Sequence, residues 1–449
     1  MKRTIYLALL AILVLVACTQ TRDLVTPAKQ PDYLSDQELR ALPELPRDLS
    51  QIQNIVIRDT FPLATDSDYY DKYSKRHFKL DYAPSLFDYV DKVEMLALSV
   101  PEEKQKEYSV SAVQFDRGRI FVDRAIKADS QNDGRSGCVA IYKRNGKLIN
   151  WINPSDDMHE RQKSIINRTA KELVVAEDPQ LLKCYDYDGN YLRTIYLPKD
   201  DPNRYNSRGV WMQQSWIRSE DDSHSLPCIV VFNDSLRPIA KVSNSKFVNN
   251  FFNKTGDDDC LVRSLSDTIW QVLPDRCVAR YVLTDGKPLP TVNYLWEDST
   301  LDKKIYDNKL VHNATYQTGN SRFLYTVLVR AFLMENGDFG YDTSIAHLYD
   351  AKTGHAICYR IDFNNYLLTH KPRLPEWLLA NKWLDTPSIL PNGTLVFTGN
   401  AYGLKKELSH QLEKQEAERD AIITKKDERF VRQLALNDMI LFFVKLKKF

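Results

Sequence analysis

Short apolar runs recur along this chain in pairs, and each pair folds back through a two-residue turn. Residues 137–142 lead to Asn145-Gly146 and return as 147–152. Residues 182–186 lead to Asp188-Gly189 and return as 191–195, and residues 228–232 lead to Asp234-Ser235 and return as 239–242. Asn-Gly and Asp-Gly supply the positive φ of tight hairpins, so the units read as antiparallel strand pairs. Residues 119–123 and 172–176 add a further strand ahead of the first two. The turns, at positions 146, 189 and 235, recur at the ~40–50 residue period of four-stranded propeller blades.

Three more units follow. The fourth is 267–272, a turn at Pro274-Asp275, and 277–282; the fifth is 323–327, 345–349, a turn near Thr353-Gly354, and 356–359. The sixth opens with 388–390, Asn392-Gly393 and 394–397, and its third strand is the C-terminal run 439–444. The pattern predicts an all-β fold, a six-bladed β-propeller. An open ring would leave a strand edge bare, so residues 93–98 are expected to pair with 439–444 and close it. Between these strands of the last blade lies a segment, 405–432, in which just over half the residues are charged and no Pro or Gly occurs. With Leu404, Leu408 and Leu412 spaced i, i+4, it predicts a helical insertion at about 404–434. Such an insertion either lies on its own propeller or serves as a partner-docking arm.

The beginning of the chain carries an address. Met1-Lys2-Arg3-Thr4 is basic, and the apolar run 5–16 is shorter than the roughly 20 residues of a spanning helix, as in an export signal. Leu15-Val16-Ala17-Cys18 looks like a lipobox, which predicts cleavage before Cys18 and lipidation of its thiol; the alternative is a plain secretory signal whose Cys is incidental. The expected division is a signal peptide at 1–17, a tether at 18–50 punctuated by Pro27, Pro31, Pro43 and Pro46, and the propeller at 51–449. Thr19 stands where an Asp would mark inner-membrane retention, so the expected place is the outer membrane, held through Cys18, with periplasmic and surface leaflets both open.

Composition narrows the partners. The chain has 449 residues, 61 Lys and Arg against 60 Asp and Glu, and 24 Tyr, 18 Phe and 7 Trp. A large aromatic core is available, and a near-neutral balance argues against nucleic acid.

Two stretches carry a resemblance. Ser266-Asp267-Thr268-Ile269-Trp270 is followed by Tyr281-Val282-Leu283-Thr284-Asp285-Gly286-Lys287-Pro288-Leu289-Pro290, and the chain ends with Asn437-Asp438-Met439-Ile440-Leu441-Phe442-Phe443-Val444-Lys445-Leu446-Lys447. Over residues 90–449 the chain resembles the six-bladed β-propeller lipoproteins of Bacteroidota, most of which have no assigned activity. It departs from them at Asp438-Met439, where Asn-Pro is usual, and at Pro154-Ser155-Asp156-Asp157-Met158, where relatives often carry a Gly-Pro loop. The resemblance implies the fold and an envelope address; it brings no catalytic residue.

Candidate chemistry is sparse. Six Cys remain besides Cys18. Cys138, Cys184 and Cys228 fall on corresponding strands of successive blades, about 10 Å apart and beyond disulfide reach, so buried thiols are expected, with Cys260 to Cys277 the one plausible bridge. The eight His show no zinc spacing, and Asp186-Tyr187-Asp188-Gly189-Asn190 reads as a turn in preference to a calcium loop. Asp257, Asp258 and Asp259 are weak candidates for a metal, against the reading of a solvated loop tip. Trp211, Trp216, Trp377 and Trp383 are weak candidates for ligand platforms, against ordinary packing. No nucleophile elbow, P-loop or dinucleotide fingerprint occurs, so neither a catalytic residue nor a cofactor is predicted. The expected function is a binding or scaffold module for a protein, peptide or glycan partner. The alternatives are a hydrolase or lactonase with a channel-mouth site, and an accessory lipoprotein of an outer-membrane nutrient importer.

Overall fold

Six sheets of four or five strands carry most of the strands in the computed structural model, which describes residues 35–51, 53–56, 69–71, 76–78, 86–100, 108–126, 137–152, 164–168, 170–178, 181–196, 204–205, 211–218, 225–233, 238–243, 261–263, 268–273, 275–284, 311–319, 322–333, 339–360, 371–380, 387–436 and 438–447. Sheet I is Tyr108–Asp116, Arg119–Ile126, Gly137–Lys143 and Leu148–Ile152; sheet II is Ser164–Asn167, Glu172–Asp178, Leu181–Tyr185 and Tyr191–Tyr196. Sheet III is Arg204–Tyr205, Trp211–Arg218, Ser225–Phe232 and Pro238–Ser243. Sheet IV holds Leu261–Arg263, Thr268–Val272 and Cys277–Thr284, and sheet V holds Val311–Gly319, Phe323–Leu333, Phe339–Asp350 and His355–Arg360. Sheet VI is Ser388–Ile389, Leu395–Asn400, Met439–Leu446 and, from the N-terminal side, Val90–Leu98. Tyr69–Asp71 and Arg76–Phe78 form a separate two-stranded sheet.

The continuous apolar runs of the third strands follow from burial on both faces. In sheet I, Val139 and Ile141 pack against Ile166, Leu173 and Val175 of sheet II, while Cys138, Ala140 and Tyr142 pack against Met439 and Leu441 of sheet VI. Sheet III divides the same way: Cys228, Val230 and Phe232 meet sheet II, and Ile229 and Val231 meet Trp270 and Ala279 of sheet IV. Sheets IV and V meet through Tyr281 and Tyr349, edge to face at 6.1 Å, and Phe323 and Leu348 of sheet V share a core with Phe397 and Phe442 of sheet VI. The six sheets therefore pack in cyclic order, the arrangement of a β-propeller. Each buried aliphatic or aromatic side chain adds roughly 1.5–3 kcal/mol of apolar transfer free energy, so the stability lies between the sheets.

The closing strand is where its apolar pattern predicts. Met439–Leu446 pairs antiparallel with Val90–Leu98, Met439 opposite Leu98 and Val444 opposite Val93. Turns add a second kind of joint: the turn at Gly146 leans on sheet VI, that at Gly189 on Asn150 of sheet I, and that at Gly393 on the Phe323 ring of sheet V. All three glycines have φ near +83° to +85°, and the approaches leave no room for a Cβ.

Three expectations change. Residues 35–50, expected within the tether, are docked on the ring. Helix α1 (Asp36–Ala41) opens with a Ser35–Glu38 capping box and buries Leu39, and Arg47–Asp48 and Gln53–Val56 then pair in parallel with Cys277–Thr284 as the last strands of sheet IV. The short polar strands hide this role, because their partner lies more than 200 residues away. The insertion sits between the second and third strands of sheet VI, as expected, but as two helices. Helix α2 (Leu86–Tyr89) and helix α3 (Leu374–Ala380) precede it; α4 (Ala401–Glu413), the 3-10 turn Glu416–Glu418 and α5 (Lys425–Gln433) compose it. The helix breaks because Gln411 and Lys414 bind Asp420 and because Ile422 bridges to Arg373, contacts that a straight helix would not allow. Finally, Cys277 is a free, buried thiol, so it makes no bridge to Cys260, which lies outside the described residues.

Candidate functional site on the sixth sheet

The largest departure from a plain blade is the helical module on sheet VI, and its own sequence builds it. Asn400 caps α4 by accepting from the Gly403 N–H at 2.7 Å, and Thr424 caps α5 by accepting from the Asp427 N–H at 3.1 Å. Leu404 and Leu408, two of the predicted stripe, are buried with Val431 and Leu434 over the core of sheets V and VI, while Leu412 is partly buried beside them. The module thus lies on its own ring.

Polar side chains fix its outer half. Trp377 Nε1 of α3 donates to Glu407 Oε1 at 2.8 Å; fully buried Gln411 donates to Glu407 Oε1 and to Asp420 Oδ2, each at 2.9 Å, and accepts from the Asp420 N–H at 2.8 Å. Hydrogen bonds from Lys414 and then Gln411 hold the Asp420 carboxyl below the usual carboxylate range. Arg373 reaches both Asp427 oxygens at 3.2 and 3.3 Å, and Ile422 exchanges backbone bonds with Pro372 and Leu374. The carboxylates Glu407, Asp420 and Asp427 are all engaged within the module. Outward it turns apolar groups and charges of both signs: Tyr402, Ile422 and Leu436 are 62%, 50% and 58% exposed, with Lys406, Lys426 and Arg429 and with Glu413, Glu416 and Glu418.

A polar cluster joins Gln114 and Asp123, on the first and second strands of sheet I, to Ser164 on the first strand of sheet II. Buried Asp123 accepts from the Ser164 N–H at 2.7 Å and from the Ser164 hydroxyl, and Gln114 Nε2 donates to Ser164 O at 2.7 Å. Nearby, Tyr187 donates to Asp116, and burial first, then that bond, push its phenol upward. These contacts join sheets I and II. Among the described residues no group of three His, Cys, Asp or Glu is placed to hold a metal, and no helix is long and apolar enough to cross a membrane.

Three of the predicted site residues, Trp377, Trp211 and Trp216, fall among the described ones. Trp377 is the indole that ties α3 to α4, half-buried. Trp211 and Trp216 lie on the second strand of sheet III, opposite Phe232 and Pro227, an odd number of positions apart in an unbroken register. Cys18, Asp257, Asp258, Asp259 and Trp383 lie outside the described residues. Asp186 is a turn residue, accepting from the Asp188 and Asn190 N–H groups at 2.9 and 2.8 Å. Sequence reasoning passed over His347, fully buried on sheet V, whose two ring nitrogens have no hydrogen-bond partner among the described residues; burial lowers its pKa to about 4. An isolated His in a strand gives no motif, so no sequence signal marks it.

No family model matches the chain, and no curated protein matches it. Among solved structures, the chain is similar to an exported protein of Bacteroides fragilis at 14% identity and TM-score 0.52, over 80% of this chain and 95% of that one. Weaker likenesses are to the acylaminoacyl peptidase of Pyrococcus horikoshii (11% identity, TM-score 0.35, 66% of this chain and 49% of that one) and the β-propeller domain of the Trilobed protease of Pyrococcus furiosus (11%, 0.29, 65% and 91%). The chain spans about half the length of the peptidase. At these identities the likeness is one of fold, and the first of them places the chain beside another propeller-like structure.

Proposed function

We propose that this chain is a lipid-anchored, exported β-propeller of six blades, related to the Bacteroidota lipoproteins, that works as a binding or scaffold module in the cell envelope, at the outer membrane. The lipobox at Cys18 and the exported B. fragilis neighbour support the address. One observation supports the binding role: a two-helix module is fixed to sheet VI by Glu407, Asp420 and Asp427, with Tyr402, Ile422 and Leu436 left exposed. Large apolar residues held exposed on an ordered frame are available to anchor a partner. The partner class is a protein, a peptide or a glycan.

Crosslinking in intact envelopes followed by affinity capture tests this. Wild type should retain a partner that the triple variant Tyr402→Ala, Ile422→Ser, Leu436→Ser loses, with unfolding unchanged. Equal capture by both, or turnover of a small ester or lactone in place of any partner, overturns the reading.

A further inference from the structure

The segment 36–56 crosses the last strands of two sheets. Leu39 is buried between sheets II and III, and the buried Lys241 ammonium donates to Leu39 O at 2.9 Å and Arg40 O at 2.7 Å, closing the end of α1. The chain then exchanges backbone bonds with Lys241 (Lys241 N to Pro43 O 2.9 Å, Leu45 N to Lys241 O 2.8 Å), buries Leu45 in the core of sheets III and IV, and accepts from the Cys277 N–H at Pro46 O, 2.7 Å. Parallel pairing with Cys277–Thr284 follows. Other contacts are peripheral: Arg47 lies 5.7 Å from the Trp270 ring centroid, Asp48 is 3.9 Å from Arg276, and Arg280 donates to Gln51 at 3.2 Å.

Sheet III completes its own meander antiparallel and sheet VI takes its remote strand Val90–Leu98 antiparallel; sheet IV alone among the described sheets takes parallel strands, also from a remote segment. Among the described side chains of the segment, Leu39 and Leu45 are the buried apolar ones, with Leu42 partly buried beside Leu39, against several from each sheet where sheets II and III and sheets III and IV meet. Elements with few buried contacts open locally, well before the global transition. Opening this one would bare a row of backbone donors and acceptors with a Leu-sized recess beside Trp270 and Ala279.

We propose that residues 36–56 are a releasable strap, opening from sheets III and IV while the six sheets stay folded, and that the edge uncovered on Cys277–Thr284 accepts an extended peptide in parallel register, its leucine in the place of Leu45 and a basic side chain over Trp270. The strap is then the resident occupant of a strand-addition site.

Cys277 reports the opening, because it is fully buried beneath Pro46 and Arg47, whereas Cys138 lies between sheets I and VI. The purified full chain is treated with iodoacetamide in native buffer and the two thiols followed by mass spectrometry. Cys277 should react at least about tenfold faster than Cys138, and Leu45→Ser should raise the Cys277 rate about tenfold more while leaving Cys138 unchanged. Equal rates in wild type, or equal acceleration of both thiols, would overturn the strap; the wild-type ratio decides alone should the variant not fold. A fluorescent peptide of residues 36–56 added in trans should slow Cys277 labelling, and should do so most in Leu45→Ser. A peptide that neither binds nor protects, with Cys277 reacting fast, overturns the strand-addition site.

Discussion

Gly146 and the Ala97 carbonyl are so close that a Cβ on Gly146 would lie 2.1 Å from the oxygen. The hairpin turn of sheet I is thereby seated on the strand that closes sheet VI, so a local turn residue also sets the fit of the ring's closure.

Gly118 separates the two demands on such a turn. Its φ is +77°, similar to the +83° of Gly146, but nothing lies within 4 Å of its would-be Cβ. Gly118→Ala should cost only the left-handed backbone penalty, about 1–2 kcal/mol. Gly146→Ala meets main chain as well and should cost clearly more, about 3–4 kcal/mol. Urea unfolding of both variants checks the order; equal losses would mean that the turn and the Ala97 strand are not in contact.

His347 predicts an acid limb. Its folded pKa, lowered to about 4 by burial, lies below the usual value of about 6.5. The unfolded chain therefore binds the proton first, and stability present above pH 6.5 is lost as pH falls toward 4, by about 3 kcal/mol at most. His347→Met fills the space without polar atoms and should remove that part of the pH slope while raising stability at neutral pH by about 1–2 kcal/mol. Denaturant titrations of both proteins at pH 7.5, 5.5 and 4.5 measure it; parallel pH profiles would show that His347 is not buried neutral.

How far the chain announces its structure depends on where each element finds its partner. Asn145-Gly146 and Asp188-Gly189 are visible because positive φ is a local demand, and the run from Met439 to Val444 is visible because a strand buried on both faces must be apolar throughout. The strap is invisible by the same logic: Arg47, Asp48 and Gln53 have no alternation, and their pairing with Cys277–Thr284 is a tertiary event. The charged insertion reads as helix from composition, yet its break is decided by Gln411, a residue whose neutral side chain says nothing until Asp420 is beside it. The surface at Tyr402, Ile422 and Leu436 is likewise not legible, since exposure is a property of the docked module.

Gln411 should hold the insertion without holding the ring. It is fully buried and its amide serves Glu407 and Asp420, so Gln411→Leu leaves the Asp420 N–H and carboxylate without their inner partner. The expected cost is about 2–3 kcal/mol, confined to the turn between α4 and α5. Trypsin should then cut at Lys414 and Arg419 faster than in wild type, while the main thermal transition moves little. Unchanged proteolysis would show that Lys414 and Arg373 suffice to hold the turn.

Ring closure rests on burial more than on charge, and one pair of substitutions on the same strand decides it. Phe442 is fully buried between sheets V and VI and stands opposite Met95 of the closing strand, whereas Lys445 pairs with Glu94 at 3.1 Å with both side chains more than 40% exposed. Phe442→Ala should cost about 3–5 kcal/mol through lost transfer energy and the cavity left behind. Lys445→Ala should cost about 0.5 kcal/mol or less, since an exposed ion pair is screened and both partners remain hydrated without it. Because the strand joins the two ends of the ring, the Phe442 loss should appear in every probe at once: intrinsic tryptophan fluorescence and Cys138 protection should fail at the same lowered urea midpoint. Separate midpoints would show that sheet VI opens independently of its neighbours, and comparable losses for the two variants would move the weight of closure from apolar packing to the surface charges.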